Sequence, residues 1–167
     1  MNLNLNQRKT IRTQGFNYRS NGSYFVTFCT QNRLCLFGKI LSGDLHLNGS
    51  GIMVYEEINS VATRFIGITI DTFVVMPNHV HAIIVINNDV GLGLGLPDIV
   101  RNIKTYTTKS YIYGVYHQNW TPFVSRLWQR GYHEHIIRNK NSLEKIRRYI
   151  AENPANWNED LNFTSDS

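Results

Sequence analysis

Thiols are scarce in this 167-residue chain: Cys29 and Cys35 are its two cysteines, six positions apart. Neither a disulfide framework nor a four-thiolate zinc site can be assembled from them, and a reducing compartment is expected. Long apolar runs are also missing, since no uninterrupted stretch approaches the roughly 18 to 20 residues needed to cross a bilayer. The opening MNLNLNQRKT is polar where a signal peptide would be apolar, so neither export nor membrane insertion is expected. Acidic residues are absent from the first 39 positions. Against these absences stand 42% hydrophobic and 12% aromatic residues, enough for one substantial core in one domain spanning 1–167.

The net charge of +5 is unevenly spread. Residues 1–39 carry +6, 40–100 carry −5, 101–148 carry +8 and 149–167 carry −4. Two basic blocks around an acidic one fit either a polyanion-facing surface or ordinary solvated helix faces. Residues 1–20 lack hydrophobic periodicity and read as a basic arm, whereas 158–167 read as a frayed acidic tail.

Ser23 to Thr30 is dense in aromatic and β-branched residues and predicts a buried strand. Asp44 to Asn48 suits a short hairpin arm. Apolar residues at Ile52, Tyr55, Ile58, Ala62 and Phe65 predict an amphipathic helix over 48–65. Strands at Ile68–Val75 and Val80–Ile86 flank a Met76-Pro77-Asn78 turn. The Gly91–Gly95 stretch is a flexible connection without the Lys-Ser/Thr ending of a phosphate loop. A second helix over Pro97–Tyr113 would turn Ile99, Ile103 and Tyr106 inward and Arg101, Lys104 and Lys109 outward. A fourth strand is expected over Leu127–Ile137, with Trp128 in the core. The last helix would be capped by Asn141 with Glu144, buried along Leu143, Ile146 and Ile150, and stopped by Pro154. The order predicts an α+β, ferredoxin-like antiparallel sheet of four to five strands, with helices on one face and an added C-terminal helix.

His79 and His81 are two apart on a strand, so both imidazoles share one face and can converge on one metal ion. Two hydrogen-bonded, half-buried histidines would give the same pattern. Tyr149 and Asn153, four apart on the last helix, also share a face and can project toward the sheet edge. A helix-surface tyrosine and a residue that merely precedes Pro154 is the alternative.

Several segments together resemble a known family: Tyr24-Phe25-Val26-Thr27, Met76-Pro77-Asn78-His79-Val80-His81, Val100 to Thr108, Trp128-Gln129-Arg130, His135-Ile136-Ile137-Arg138, and Tyr149-Ile150-x-x-Asn153-Pro154. In this order, from about Tyr18 to Trp157, they resemble the REP-associated tyrosine transposases, a branch of the single-tyrosine HUH nucleases and insertion-sequence transposases. The resemblance implies that His79, His81 and Asn153 hold a divalent metal and that Tyr149 attacks a single-stranded DNA phosphate. Asn at 153, where insertion-sequence relatives usually have Gln, points to the REP-associated branch. Departures are His133, where relatives often carry an aromatic residue, and the glycine-leucine patch.

Two imidazoles and an amide are neutral ligands, so a bound ion would keep its full charge for the phosphate, and nitrogen and oxygen donors suit Mg or Mn. A tyrosine has an ordinary pKa near 10, so Tyr149 would need help to lose its proton. Lys145 and Arg148, within one turn, are candidates to support it. Arg8, Lys9, Arg12 and Arg19 in the arm, with Arg101, Lys104 and Lys109 on the second helix, are the expected DNA-binding residues. The implied partner is single-stranded or hairpin DNA of the REP-like palindrome type, bound by a monomer or homodimer in the cytoplasm, in association with the nucleoid. The implied reaction is cleavage and strand transfer through a 5′-phosphotyrosine. The rival is a catalytically inert single-stranded nucleic-acid-binding module. A small zinc hydrolase ranks last, because no carboxylate stands near the histidines in the sequence.

Overall fold

The densest run of aromatic and β-branched residues forms β1, Gly22–Cys29, a central strand of a four-stranded antiparallel sheet. The computed structural model describes residues 19–91, 93–160 and 162–163. A single turn of 3₁₀ helix, Gln31–Arg33, leads to a two-stranded hairpin, β2 (Gly38–Leu41) and β3 (Asp44–Leu47). Then come α1 (Gly49–Asn59), the short α2 (Val61–Arg64), β4 (Ile68–Met76), β5 (His79–Ile86), α3 (Leu96–His117), β6 (His133–Ile137) and α4 (Lys140–Glu152). A 3₁₀ turn at Trp157–Glu159 follows. The sheet order is β4-β5-β1-β6. With the β2–β3 hairpin set aside, this is the ferredoxin-like order.

β1 and β5 lie in the middle of the sheet and are covered on both faces, which is why both read as near-continuous apolar runs. On one face, Tyr24, Val26 and Phe28 of β1 and Val80, Ala82 and Ile84 of β5 pack against α1 and α3. On the other, Phe25 and Ile83 meet Ile146 and Ile150 of α4. The added C-terminal helix therefore lies across the sheet from the other two long helices. Burying each of those two isoleucines is worth about 1.5–3 kcal/mol, which holds α4 against the sheet.

Four local expectations change. The buried stripe of α1 runs through Val54 and Ile58 toward Val61, which leaves Ile52 and Tyr55 on the exposed face, and the chain breaks at Ser60 instead of continuing as one helix. Tyr106 on α3 is also exposed and lies under the Arg64 guanidinium, 4.6 Å from its ring centroid. The last helix is capped by Asn139, whose side chain accepts from the Ser142 N–H at 2.8 Å, two residues before the expected Asn141. The last strand covers only His133–Ile137. The segment before it turns at Gly131, which has φ +75°. Trp128 is in the core as expected, its indole N–H donating to Thr107 Oγ1 at 2.9 Å.

Gly51, in the first turn of α1, would drive a Cβ into the Phe37 backbone carbonyl. Helix propensity alone would make Gly51→Ala stabilising by about 1 kcal/mol, but overpacking against fixed backbone costs about 1–3 kcal/mol. Gly51→Ala should therefore lower stability in urea unfolding, and a stabilised variant would contradict this packing.

Candidate active site

The register of β5 places His79 opposite Cys29 and His81 opposite Thr27 of β1, with both imidazoles on the sheet face that α4 covers. Both are buried. Their Nε2 atoms approach to 3.0 Å, and each Nδ1 is tied back into the protein. His79 Nδ1 lies 2.8 Å from Asn78 Oδ1, and His81 Nδ1 lies 2.7 Å from Thr27 Oγ1. His81 stacks on Phe25 and His79 on Trp157, so aromatic rings fix both planes.

α4 brings the tyrosine to this pair. Asp71 sits where β4 slips register against β5, between Ile70 and Thr72, and the bulge lets its carboxylate reach α4. Arg147 grips it with a fork, Nε to Oδ1 at 2.8 Å and Nη2 to Oδ2 at 2.5 Å, while Nη1 donates to Glu144. Held by this fork and by Ile146 and Ile150, the helix places Tyr149 Oη 3.3 Å from His81 Nε2 of the same chain. Asn153, one turn on and buried, faces the same cluster.

The residue that sequence reasoning missed is Asp160. The segment expected to be frayed instead folds back from its 3₁₀ turn, with Trp157 buried against His79. This corrects the tail assignment over 158–160 and 162–163; residues 164–167 lie outside the described residues. Asp160 Oδ2 accepts from Asn153 Nδ2 at 2.7 Å and lies 3.5 Å from His81 Nε2 and 3.8 Å from His79 Nε2. Tyr149 donates to it at 3.4 Å. Asn162 N–H donates to its other oxygen. A carboxylate therefore stands beside the histidines after all, and the donor set is not wholly neutral.

His79, His81 and Asp160 offer ligand atoms within 4.8 Å of one another. Asn153 turns its N–H₂ toward Asp160, so its Oδ1 is a buried acceptor with no hydrogen-bond donor. Two imidazole nitrogens, a carboxylate and an orphaned amide oxygen form a donor set that fits a divalent cation. Burial, reinforced by the neighbouring His81, holds His79 well below its ordinary pKa, which keeps the ring neutral as a ligand must be. Burial alone would raise the Asp160 carboxyl, but the hydrogen bond to His81, with the electrostatic pull of the two imidazoles and the Asn153 amide, outweighs it and holds it well below the usual range. Burial and then the Asp160 charge push the Tyr149 phenol well above its ordinary value. Lys145 and Arg148 are exposed on the same helix.

A family model for IS200-like transposases matches residues 18–153. The chain belongs to this family. An uncharacterised Haemophilus influenzae protein (strain ATCC 51907 / DSM 11121 / KW20 / Rd) is 36% identical over 180 residues, covering 95% of this chain and 94% of its own. Among solved structures, the REP-associated tyrosine transposase bound to a REP hairpin shares the fold. Its TM-score is 0.59 at 24% identity, over 83% of this chain and 70% of its own. A Deinococcus radiodurans R1 protein described as a transposase candidate gives a TM-score of 0.51 at 17% identity, over 83% of this chain and 93% of its own.

In this member of the IS200-like transposase family the expected DNA-binding residues do not form one group. Arg8, Lys9 and Arg12 lie outside the described residues, and Arg19 is exposed just before β1. Arg101 and Lys109 are exposed on α3, across the sheet from Tyr149. Lys104 is not the outward cation expected of it. Its ammonium donates to the backbone carbonyls of Gln129, at 3.0 Å, and Gly131, and burial lowers its pKa to about 8. It clamps the loop before β6 onto α3. A groove of about 490 Å³ between α1 and α3, lined by residues including Ile52, Glu56, Lys109 and Trp120, shares no residue with the histidine cluster. Among the described residues no helix is long and apolar enough to cross a membrane.

The lowered pKa values of His79 and Asp160 predict acid lability in metal-free buffer. Below about pH 6.5 the unfolded chain takes up a proton at residue 79 that the folded chain resists, so stability falls. Asp160, whose folded pKa is depressed, contributes stability that is present above about pH 4 and lost as pH falls further. Urea unfolding across this range should show both stages, with Asp160→Asn flattening the lower one. An unchanged lower stage in that variant would contradict the placement of Asp160.

Proposed function

We propose that this transposase-family chain is a metal-dependent single-stranded DNA endonuclease and strand transferase, with Tyr149 as nucleophile. The observation that carries the reading is the Tyr149 hydroxyl 3.3 Å from His81 Nε2, at the edge of a buried donor cluster within one chain. His79, His81 and Asn153, joined by Asp160, would hold Mg or Mn. Such an ion supplies a positive charge that polarises the phosphate and eases departure of the leaving oxygen.

Tyr149 Oη attacks phosphorus, the bond to the 3′ oxygen breaks, and that oxygen leaves as a 3′-hydroxyl after gaining a proton. The 5′ phosphate stays on the tyrosine until another 3′-hydroxyl attacks it, which rejoins DNA without an external energy source. The phenol holds its proton firmly at neutral pH, so attack requires an acceptor. Asp160 Oδ2 is within reach of that proton. Lys145 and Arg148 supply positive charge from the solvent side of the helix. Arg19, Arg101 and Lys109, with Arg8, Lys9 and Arg12 of the arm, contact phosphates. The substrate class is hairpin DNA with a single-stranded foot, of the REP type held by the structural neighbour, met in the cytoplasm.

The second reading is an inert single-stranded DNA-binding module. It is favoured by the same carboxylate, which disfavours the tyrosinate on which attack depends. Covalent trapping separates the two. With hairpin oligonucleotides drawn from the DNA flanking its own gene, and Mn present, the wild-type chain should form a denaturation-resistant adduct. Tyr149→Phe should form none and bind DNA within about twofold of wild type, because one half-buried hydroxyl is lost and the phosphate contacts remain. Wild-type cleavage by Tyr149→Phe would remove the nucleophile assignment.

His81→Ala should reduce Mn-dependent cleavage by about 100-fold or more, the scale on which metal-site charge stabilisation acts. Full activity of this variant in a chelator would remove the metal from the reaction.

A further inference from the structure

Asn78 is fully buried in the two-residue turn between β4 and β5, and its amide has a fixed orientation. Nδ2 donates to the Arg33 carbonyl at 3.0 Å and to the Asn162 carbonyl at 2.9 Å. Flipping the amide would set its oxygen against both carbonyl oxygens, so the acceptor Oδ1 must be the atom that faces His79 Nδ1 at 2.8 Å. An acceptor there requires a proton on Nδ1. With that single ring proton on Nδ1, Nε2 is left with a bare lone pair aimed at His81 Nε2 and into the cluster.

His81 is held differently. Its Nδ1 partner is the hydroxyl of Thr27, which can either donate or accept, so Thr27 allows both tautomers. One imidazole is locked and the other adjustable.

We propose that Asn78 is a positioning residue for the metal: it locks His79 in the Nδ1–H tautomer, and the Asn162 carbonyl from the segment after α4 holds that lock in place. The inference rests on the reading of His79 as a ligand, and it adds a residue that touches neither ion nor DNA. It also gives the returning tail a second task, since Asp160 faces the cluster directly while Asn162 acts on it through Asn78.

The test is tautomer-resolved nitrogen NMR of histidine-labelled protein in chelator, together with Mn titration followed by the electron paramagnetic resonance of the free ion. Wild-type protein should show residue 79 protonated at Nδ1 and unprotonated at Nε2. Asn78→Ala should populate both tautomers and bind Mn about 10- to 100-fold more weakly, the usual cost of losing such a partner. Asn78→Asp keeps the acceptor while losing both donors, so it should keep the tautomer and remain nearer to wild type in affinity even where stability falls.

A wild-type His79 protonated at Nε2 overturns the proposal. So does an Asn78→Ala affinity within about twofold of wild type, or an Asn78→Asp variant that loses as much as Asn78→Ala. If Asn78→Ala does not fold, the wild-type spectrum and the Asn78→Asp titration still decide. Neither measurement uses DNA. Protein that shows the lock and binds Mn but forms no tyrosine adduct overturns the strand-transfer reading and leaves the lock standing, whereas cleavage with His79 in the other tautomer does the reverse.

Discussion

Two imidazole nitrogens, His79 Nε2 and His81 Nε2, meet at 3.0 Å in a space from which water is excluded. A lone pair on one must be met by positive charge, either a proton on the other or a cation between them. The surroundings serve that requirement. Asn78 and Thr27 hold the outer nitrogens, Phe25 and Trp157 fix the ring planes, and Asp160 contributes a negative charge that makes positive charge more welcome.

The rest of the fold brings the Tyr149 hydroxyl to that point. A sheet covered on both faces needs its central strands apolar throughout, yet β5 carries two histidines, and they are tolerated because every ring nitrogen has a partner. One face of the sheet carries the larger core with α1 and α3, which supplies rigidity. The other face has the smaller cluster with α4 and leaves room for chemistry. The β4 bulge joins the two functions, since one irregular residue, Asp71, fixes the helix that carries Tyr149.

The parts of the site that follow a short period were legible in the sequence. A period of two put His79 and His81 on one face, and a step of four put Tyr149 and Asn153 on another. The fold was legible for the same reason, since strands and amphipathic helices advertise themselves by spacing. Asp160 follows no period. It lies in a tail of polar composition and reaches the histidines where Trp157 packs on His79 and edge to face on Phe163, and where Asn153 and Asn78 hold Asp160 and Asn162. Lys104 was misjudged because helix phase places it beside the loop that turns at Gly131, whose carbonyls no sequence pattern reveals. The cap at Asn139 was missed because Asn139 and Asn141, two positions apart at the start of α4, can each take that role, and tertiary packing sets where the first turn begins.

The stacking of Trp157 on His79, with ring centroids 5.9 Å apart, places a natural fluorophore against a ring of the donor cluster. Its emission is sensitive to charge and to paramagnetic centres at such range. The tail that completes the site thus also carries an optical reporter of it. Loading by Mn, displacement of the tail and arrival of a DNA strand would each alter the light from one indole, in unlabelled protein and in real time.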